Sequence, residues 1–251
     1  MRYISFILVF ISINALSQTN SKTDSLKNEL NKYISLQDSV KIFDIYYSLG
    51  KQYYKIENNI LSLTYYQKSI PYSKKEQQPK VYNRLASAYW RKGDYENAMK
   101  HYRKSLYISE EIGDKKLQAI ALNNIGFIYA EYNQPKKILE YYLKSLEIRK
   151  EINDQKGIAH SYNSLGRVYL SMDSLNIALE YVNKSIEKFR SINYQIGESN
   201  ALNSLGNIYL KKQELVLALK YYNQSLEIRI NENSGYNKSY WYTFHLFRNF
   251  Y

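Results

Sequence analysis

Along most of the chain, apolar residues recur three and four positions apart and give way at short polar breaks, the signature of paired amphipathic helices. The pattern is clearest over 121–148, ALNNIGFIYAEYNQPKKILEYYLKSLEI. With Gly126 as origin, Gly166 and Gly206 follow at forty-residue steps, Ala86 precedes by forty, and Gly50 by a further thirty-six. Three residues after each origin stands Tyr53, Tyr89, Tyr129, Tyr169 or Tyr209; one residue before it, Leu49, Leu85, Ile125, Leu165 or Leu205. Nineteen residues after it is always a serine: Ser69, Ser105, Ser145, Ser185, Ser225. Self-similarity at this period marks a repeat array whose units bury their apolar faces against their neighbours. The prediction is an all-α solenoid of about five helix pairs over 40–230, with an N-terminal capping helix within 18–39.

For that capping helix, Thr23 or Asp24 is the expected cap, with Leu26, Leu30, Tyr33 and Ile34 on one face. The first repeat is four residues short, about one helical turn, and its second helix meets Pro71, which a helix interior does not tolerate. Pro79 and Pro135 fall where helices are expected to start. Polar breaks at Lys92-Gly93-Asp94, Asn133-Gln134 and Asp173-Ser174 separate the two helices of a pair. Gly113, Asn153, Asn193 and Asn233 close the pairs at forty-residue spacing, as residues that accept the left-handed conformation do. The segment 231–251, ending SYWYTFHLFRNFY, breaks the grammar with aromatics on every face. It reads as a truncated or frame-shifted end, or as a docking helix through which the chain self-associates.

The first seventeen residues, MRYISFILVFISINALS, carry one arginine, a short apolar run and small residues before Gln18. That is the form of a secretory signal peptide over 1–17, with an uncleaved anchor as the rival. The run is short for a membrane span of ~20 residues. The expected location is outside the cytoplasm, in a bacterial periplasm or the extracellular space.

There is no cysteine, which excludes disulfides and thiolate chemistry. The formal charge of +12 is spread through every repeat and mixed with Glu and Asp, so it reads as solvated helix faces and not as a nucleic-acid footprint. The three histidines, His101, His160 and His245, lie at no metal-ligand spacing, and no nucleophile-elbow, phosphate-loop or dinucleotide motif occurs. No catalytic residue, metal site or cofactor is expected, and enzymatic activity is not.

Leu-Gly-x-x-Tyr in the first helix, a small residue twelve after the glycine (Ala98, Ala178, Ala218) and an aromatic sixteen after it (Tyr66, Tyr102, Tyr142, Tyr222) resemble tetratricopeptide repeats. The forty-residue spacing and the NxLGxxYL wording of 163–170 and 203–210 are similar to the longer subtype of kinesin light chains, and to extracytoplasmic sensor regions of bacterial signalling proteins. Ser62 and Ile138 replace the small residue, and Val182 the aromatic. The resemblance implies a right-handed superhelix whose first helices line a concave peptide-binding groove. At 100° per residue, positions −4, −1, 0 and +3 from the origin form each first helix's core face; positions −6, −3, +1, +4 and +5 form a second face, which the resemblance identifies as the groove. Its candidate binding residues are Asn83, Trp90, Arg91, Asn123, Phe127, Asn163, Arg167, Asn203, Asn207 and Lys211. The ladder Asn83, Asn123, Asn163, Asn203 offers amide donors and acceptors suited to a peptide backbone; the alternative is that these asparagines bridge neighbouring repeats. Basic residues on this face outnumber acidic ones, which favours an acidic peptide or a terminal carboxylate. The functional expectation is a non-enzymatic scaffold for a protein or peptide partner, with no nucleic acid and no membrane span beyond the leader. The alternative is the sensory part of a truncated signalling protein such as a histidine kinase or transcriptional regulator.

Overall fold

A computed structural model describes residues 22–231, and among them there are helices and turns but no strand. Helix α1 covers 22–35. It is followed by α2 (Ser39–Lys55), α3 (Asn59–Ser69), a 3-10 turn (Ile70–Tyr72), α4 (Gln78–Arg91), α5 (Tyr95–Glu111) and α6 (Lys115–Glu131). Then come α7 (Pro135–Glu151), α8 (Gln155–Ser171), α9 (Leu175–Ser191), α10 (Gln195–Lys211) and α11 (Leu215–Asn231). Odd-numbered helices from α3 onward pair with the even-numbered helix before them. The chain divides into two compact units, one up to Ala121 and one from Leu122.

Local chemistry sets the helix limits. Asp38, Asn58, Asp94, Asp114 and Asp154 each accept a hydrogen bond from the backbone N–H three residues on, at 2.9–3.1 Å. Such caps satisfy an otherwise orphaned donor and contribute about 1 kcal/mol each. Pro135 opens α7 and Pro79 lies in the first turn of α4. Pro71 ends the first pair early: α3 stops at Ser69 after eleven residues, where α9 and α10 run for seventeen. The expected left-handed ends appear at Gly113 (φ 70°), Asn153 (φ 54°) and Asn193 (φ 52°), whereas Asn233 lies outside the described residues. Breaks within pairs use Gly93 (φ 82°), Asn133 (φ 51°), Asp173 (φ 58°) and Gln213 (φ 63°).

Gln213 is the least suited of these, because an unbranched side chain there gains nothing to offset its Cβ clash with the backbone. Gln213→Gly is therefore expected to raise stability by up to about 1 kcal/mol, read as a higher midpoint in thermal or urea unfolding. An unchanged or lower midpoint refutes it.

Three ties made inside the pairs explain the recurring positions. A Cβ on Gly50 would stand 2.6 Å from the Tyr66 ring, and one on Gly206 2.5 Å from the Tyr222 ring. The aromatic sixteen residues on therefore lies flat against the bare backbone of the first helix, and at Gly166 the smaller Val182 takes its place. The second tie is a ring stack. Tyr53–Tyr65, Tyr89–His101, Tyr129–Tyr141, Tyr169–Tyr181 and Tyr209–Tyr221 have centroids 5.2–5.4 Å apart and near-parallel planes. The third belongs to the serine. Ser105, Ser185 and Ser225 are buried and donate, each at 2.8 Å, to the carbonyls of Pro79, Ala159 and Ser199 at the start of the paired helix. Only a small side chain fits that crossing, and only a hydroxyl satisfies the carbonyl there. Ser69 bonds its own turn at Tyr66 instead, because α3 ends at it.

Two expectations for α1 change. The helix is already under way at residue 22, so Thr23 and Asp24 lie inside its first turns and do not cap it. Leu30 is buried and Leu26 and Tyr33 pack on the cluster of Ile42, Ile45, Leu49 and Tyr53, but Ile34 is 45% exposed. The apolar face is therefore narrower than the sequence suggests. The segments 1–17 and 232–251 lie outside the described residues.

Candidate functional site

The 100° arithmetic separates the two faces of the first helices. Core positions −1 and 0 are buried in every pair, from Leu49 and Gly50 to Leu205 and Gly206. On the second face, Trp90, Asn123, Phe127, Asn163, Asn203 and Asn207 are half-buried, while Arg91, Arg167 and Lys211 are exposed. Asn83 differs from the other ladder members in being buried.

Within the C-terminal unit, α8 packs against α10, which brings Asn163 and Asn203 to equivalent places on neighbouring helices. The Asn163 Oδ1 is buried and has no hydrogen-bond partner among the described residues. Asn207 is already engaged, accepting from the Tyr222 hydroxyl at 2.6 Å. Lys211 reaches Asp173 at 3.6 Å, an exposed pair worth little. Leu170 and Leu210, two turns beyond Asn163 and Asn203, are half-buried and supply apolar ground.

His160, placed on this face by its −6 position, is largely covered: Phe189 meets its ring edge-on at 4.9 Å and Tyr194 at 5.9 Å. Burial holds its imidazole below the ordinary value, and the nearby Arg149 and Lys156 push it the same way. Arg149 itself is buried and donates 2.7 Å bonds to the Gly157 carbonyl and the Ser161 hydroxyl. No helical wheel of a single helix shows this arrangement, since Arg149 belongs to α7 and its acceptors to α8.

In the N-terminal unit the second face is aromatic and basic. The Arg91 guanidinium lies 3.6 Å from the Tyr54 ring centroid and donates at 2.7 Å to the Tyr54 carbonyl in the last turn of α2. The Tyr102 hydroxyl meets the Ser87 hydroxyl at 3.0 Å, as that of Tyr222, whose ring lies against Gly206, meets Asn207. Burial pushes both phenols up to about 12. The sixteenth-position tyrosine thus carries its hydroxyl through the pair to the second face. No group of three His, Cys, Asp or Glu side chains among the described residues is arranged to hold a metal.

Two stretches, 77–151 and 157–231, match the family model of the tetratricopeptide repeat, and together they cover more than half of the chain. The chain belongs to the tetratricopeptide repeat family. Its repeats superpose on several solved tetratricopeptide-like structures. BtubC (BKLC) from P. vanneervenii gives a TM-score of 0.72 at 18% identity, covering 88% of this chain and 94% of that one. A Rap protein complexed with competence and sporulation factor gives 0.70 at 19% identity, covering 83% of this chain and 59% of that one. The Rap conjugation gene regulator of plasmid pLS20, in complex with the Phr peptide, gives 0.68 at 15% identity, over 80% and 56% of the two chains. This chain therefore spans less than two thirds of either Rap protein, and at such identities the likeness is one of fold. No curated protein sequence matches significantly. Among the described residues no helix is long and apolar enough to cross a membrane.

Proposed function

We propose that this tetratricopeptide repeat protein is a non-enzymatic scaffold that binds an extended segment of a partner along the second face of its first helices. The observation that carries the reading is the unpartnered, buried Asn163 Oδ1 beside the half-buried Asn203. A buried acceptor without a donor costs about 1–3 kcal/mol, and a peptide N–H laid along α8 would supply that donor. The likeness to the Rap regulator solved with a peptide supports the same choice of ligand class. Exposed Arg167 and Lys211 favour an acidic partner. The reading of 1–17 as a leader, with a mature chain starting at Gln18, supports an activity outside the cytoplasm.

Peptides selected by display on the full chain test the reading. Replacing Asn123, Asn163 and Asn203 by alanine is expected to weaken them about tenfold to a thousandfold, at ~0.5–1.5 kcal/mol per hydrogen bond. The melting temperature should barely move. A large fall in melting temperature with unaltered affinity would mean that the asparagines only bridge neighbouring helices, and selection of no peptide at all would sink the reading.

A further inference from the structure

Four of the ring stacks join two tyrosines, and the stack on Tyr89 alone has a histidine, His101, in the second place. Packing therefore asks for a flat ring there and not for a phenol, so the paired phenols carry a chemistry that the packing does not use. In the C-terminal unit Tyr169, Tyr181, Tyr209 and Tyr221 are all half-buried, whereas Tyr53 and Tyr129 in the other stacks are buried. Tyr169 and Tyr181 lie 7° from parallel with centroids 5.4 Å apart, and Tyr209 and Tyr221 lie 14° from parallel at 5.3 Å.

Each of these two pairs brackets the turn between its helices. The Tyr169 carbonyl accepts from the Ser174 N–H and the Tyr209 carbonyl from the Glu214 N–H, both at 2.9 Å, which pins the first ring of each stack to that turn. The Tyr209 and Tyr221 hydroxyls hydrogen-bond each other, so the oxygen-bearing edges of those rings lie together. Burial raises the Tyr181 and Tyr209 phenols above their ordinary value, and the second phenol of each stack adds to the shift. Lys184 stands over the Tyr181 ring at 5.7 Å and Lys212 over the Tyr209 ring at 5.4 Å, which hinders approach by a ring of another molecule.

Taking one electron and the hydroxyl proton from a phenol leaves a radical spread over the oxygen and the ortho and para carbons. The para carbon of tyrosine already carries Cβ, so a new carbon–carbon bond forms through an ortho carbon. The unpaired electron occupies the π system, whose lobes stand perpendicular to the ring, where the partner of a parallel stack already lies.

We propose that the Tyr169–Tyr181 and Tyr209–Tyr221 stacks are sites of oxidative coupling, each closing into a dityrosine staple between the two helices of its pair. The oxidant is hydrogen peroxide acting through a haem peroxidase: two phenols and one peroxide give one biaryl bond and two waters. Each ring loses an electron and its hydroxyl proton, the ortho carbons join, and their two protons pass through water to the oxygens as the rings regain aromaticity. The staple ties residues twelve apart in a chain that has no cysteine, and it restricts the unfolded chain as a disulfide does. It stands apart from the peptide-binding reading.

The test treats dilute full-length protein with hydrogen peroxide and a haem peroxidase. Dityrosine fluorescence is expected, with a mass loss of two hydrogen atoms per staple. Peptide mapping should find each of the two couplings at least tenfold above any other pair within 22–231. That includes Tyr162–Tyr181, whose rings are 6.0 Å apart but inclined at 47°. Tyr221→Phe keeps the ring without the phenol, and should abolish coupling at Tyr209 while leaving Tyr169–Tyr181 intact; Tyr181→Phe should do the converse. Stapled protein should melt several degrees above untreated protein, and the treated Tyr181→Phe, Tyr221→Phe double variant should not. Treatment in urea should erase the preference for these pairs, because only the fold supplies the stacks. Absence of dityrosine at both pairs, couplings that fall as often on other tyrosines of the folded array, or the same pattern in urea overturns the proposal.

Discussion

Phe189→Ala is expected to lower stability by about 3–5 kcal/mol, the range for emptying a well-packed aromatic site. The ring is fully buried where α8, α9 and α10 meet, among Ala159, Val182, Ile186, Leu202 and Leu205. It also packs edge-on to His160 and lies so close to α10 that a Cβ on Gly197 would stand 2.5 Å from it. Ala159 and the bare backbone at Gly197 have no side chain long enough to slide in, so the cavity persists. Phe189→Leu, which keeps most of the volume, should cost less than half as much. Because repeat units contact chiefly their neighbours, the damage should be local. Hydrogen exchange should quicken in α8–α10 and stay unchanged in α2 and α3. A stability loss under 1 kcal/mol, or equal loosening of α2 and α3, would contradict this account.

The other large effect concerns a buried cation. Arg149→Ala is expected to cost about 2–4 kcal/mol, because it empties the volume of the side-chain stem and orphans the Gly157 carbonyl and the Ser161 hydroxyl. Burial already holds the guanidinium below its ordinary pKa, with Asp154 the nearby charge opposing that shift. The charge itself is thus a burden, and Arg149→Met, which fills the space without it, should lose no more than about 1 kcal/mol. Urea unfolding of the two variants separates the contributions. Equal losses in both would show that the hydrogen bonds, not the packing, carry the stability.

Much of this was legible in the sequence. Gly50, Gly206 and the tyrosines three and sixteen residues on could be found by period alone, since each tie narrows the residue choice at one spacing. The helix ends were legible for the same reason, as Asn153 and Asn193 show. The serine was visible as a constant, but its purpose was not. Its partner carbonyl lies twenty-six residues earlier, and only the crossing of two helices brings them together. Helical-wheel arithmetic put positions −1 and 0 inside but left −5 and +2 off the core face, although Ala121, Ala201, Ile128 and Ile208 are buried there. Nor could it foresee that Phe189 and Tyr194 pack against His160, because those rings come from α9 and the turn before α10. α1 misled for a different reason: short polar residues such as Thr23 suit a cap and a first turn almost equally well.

The glycine contact, the ring stack and the serine bond all join residues that share one origin; none of the three needs a partner from the next pair. A forty-residue segment cut anywhere along the array and rejoined forty residues away would therefore restore every one of them. Unequal recombination can lengthen or shorten such a gene by whole cassettes while each surviving cassette keeps its own internal fastenings. The residues free to diverge between copies are those on the second face, where Ser87, Phe127, Arg167 and Asn207 occupy one and the same position.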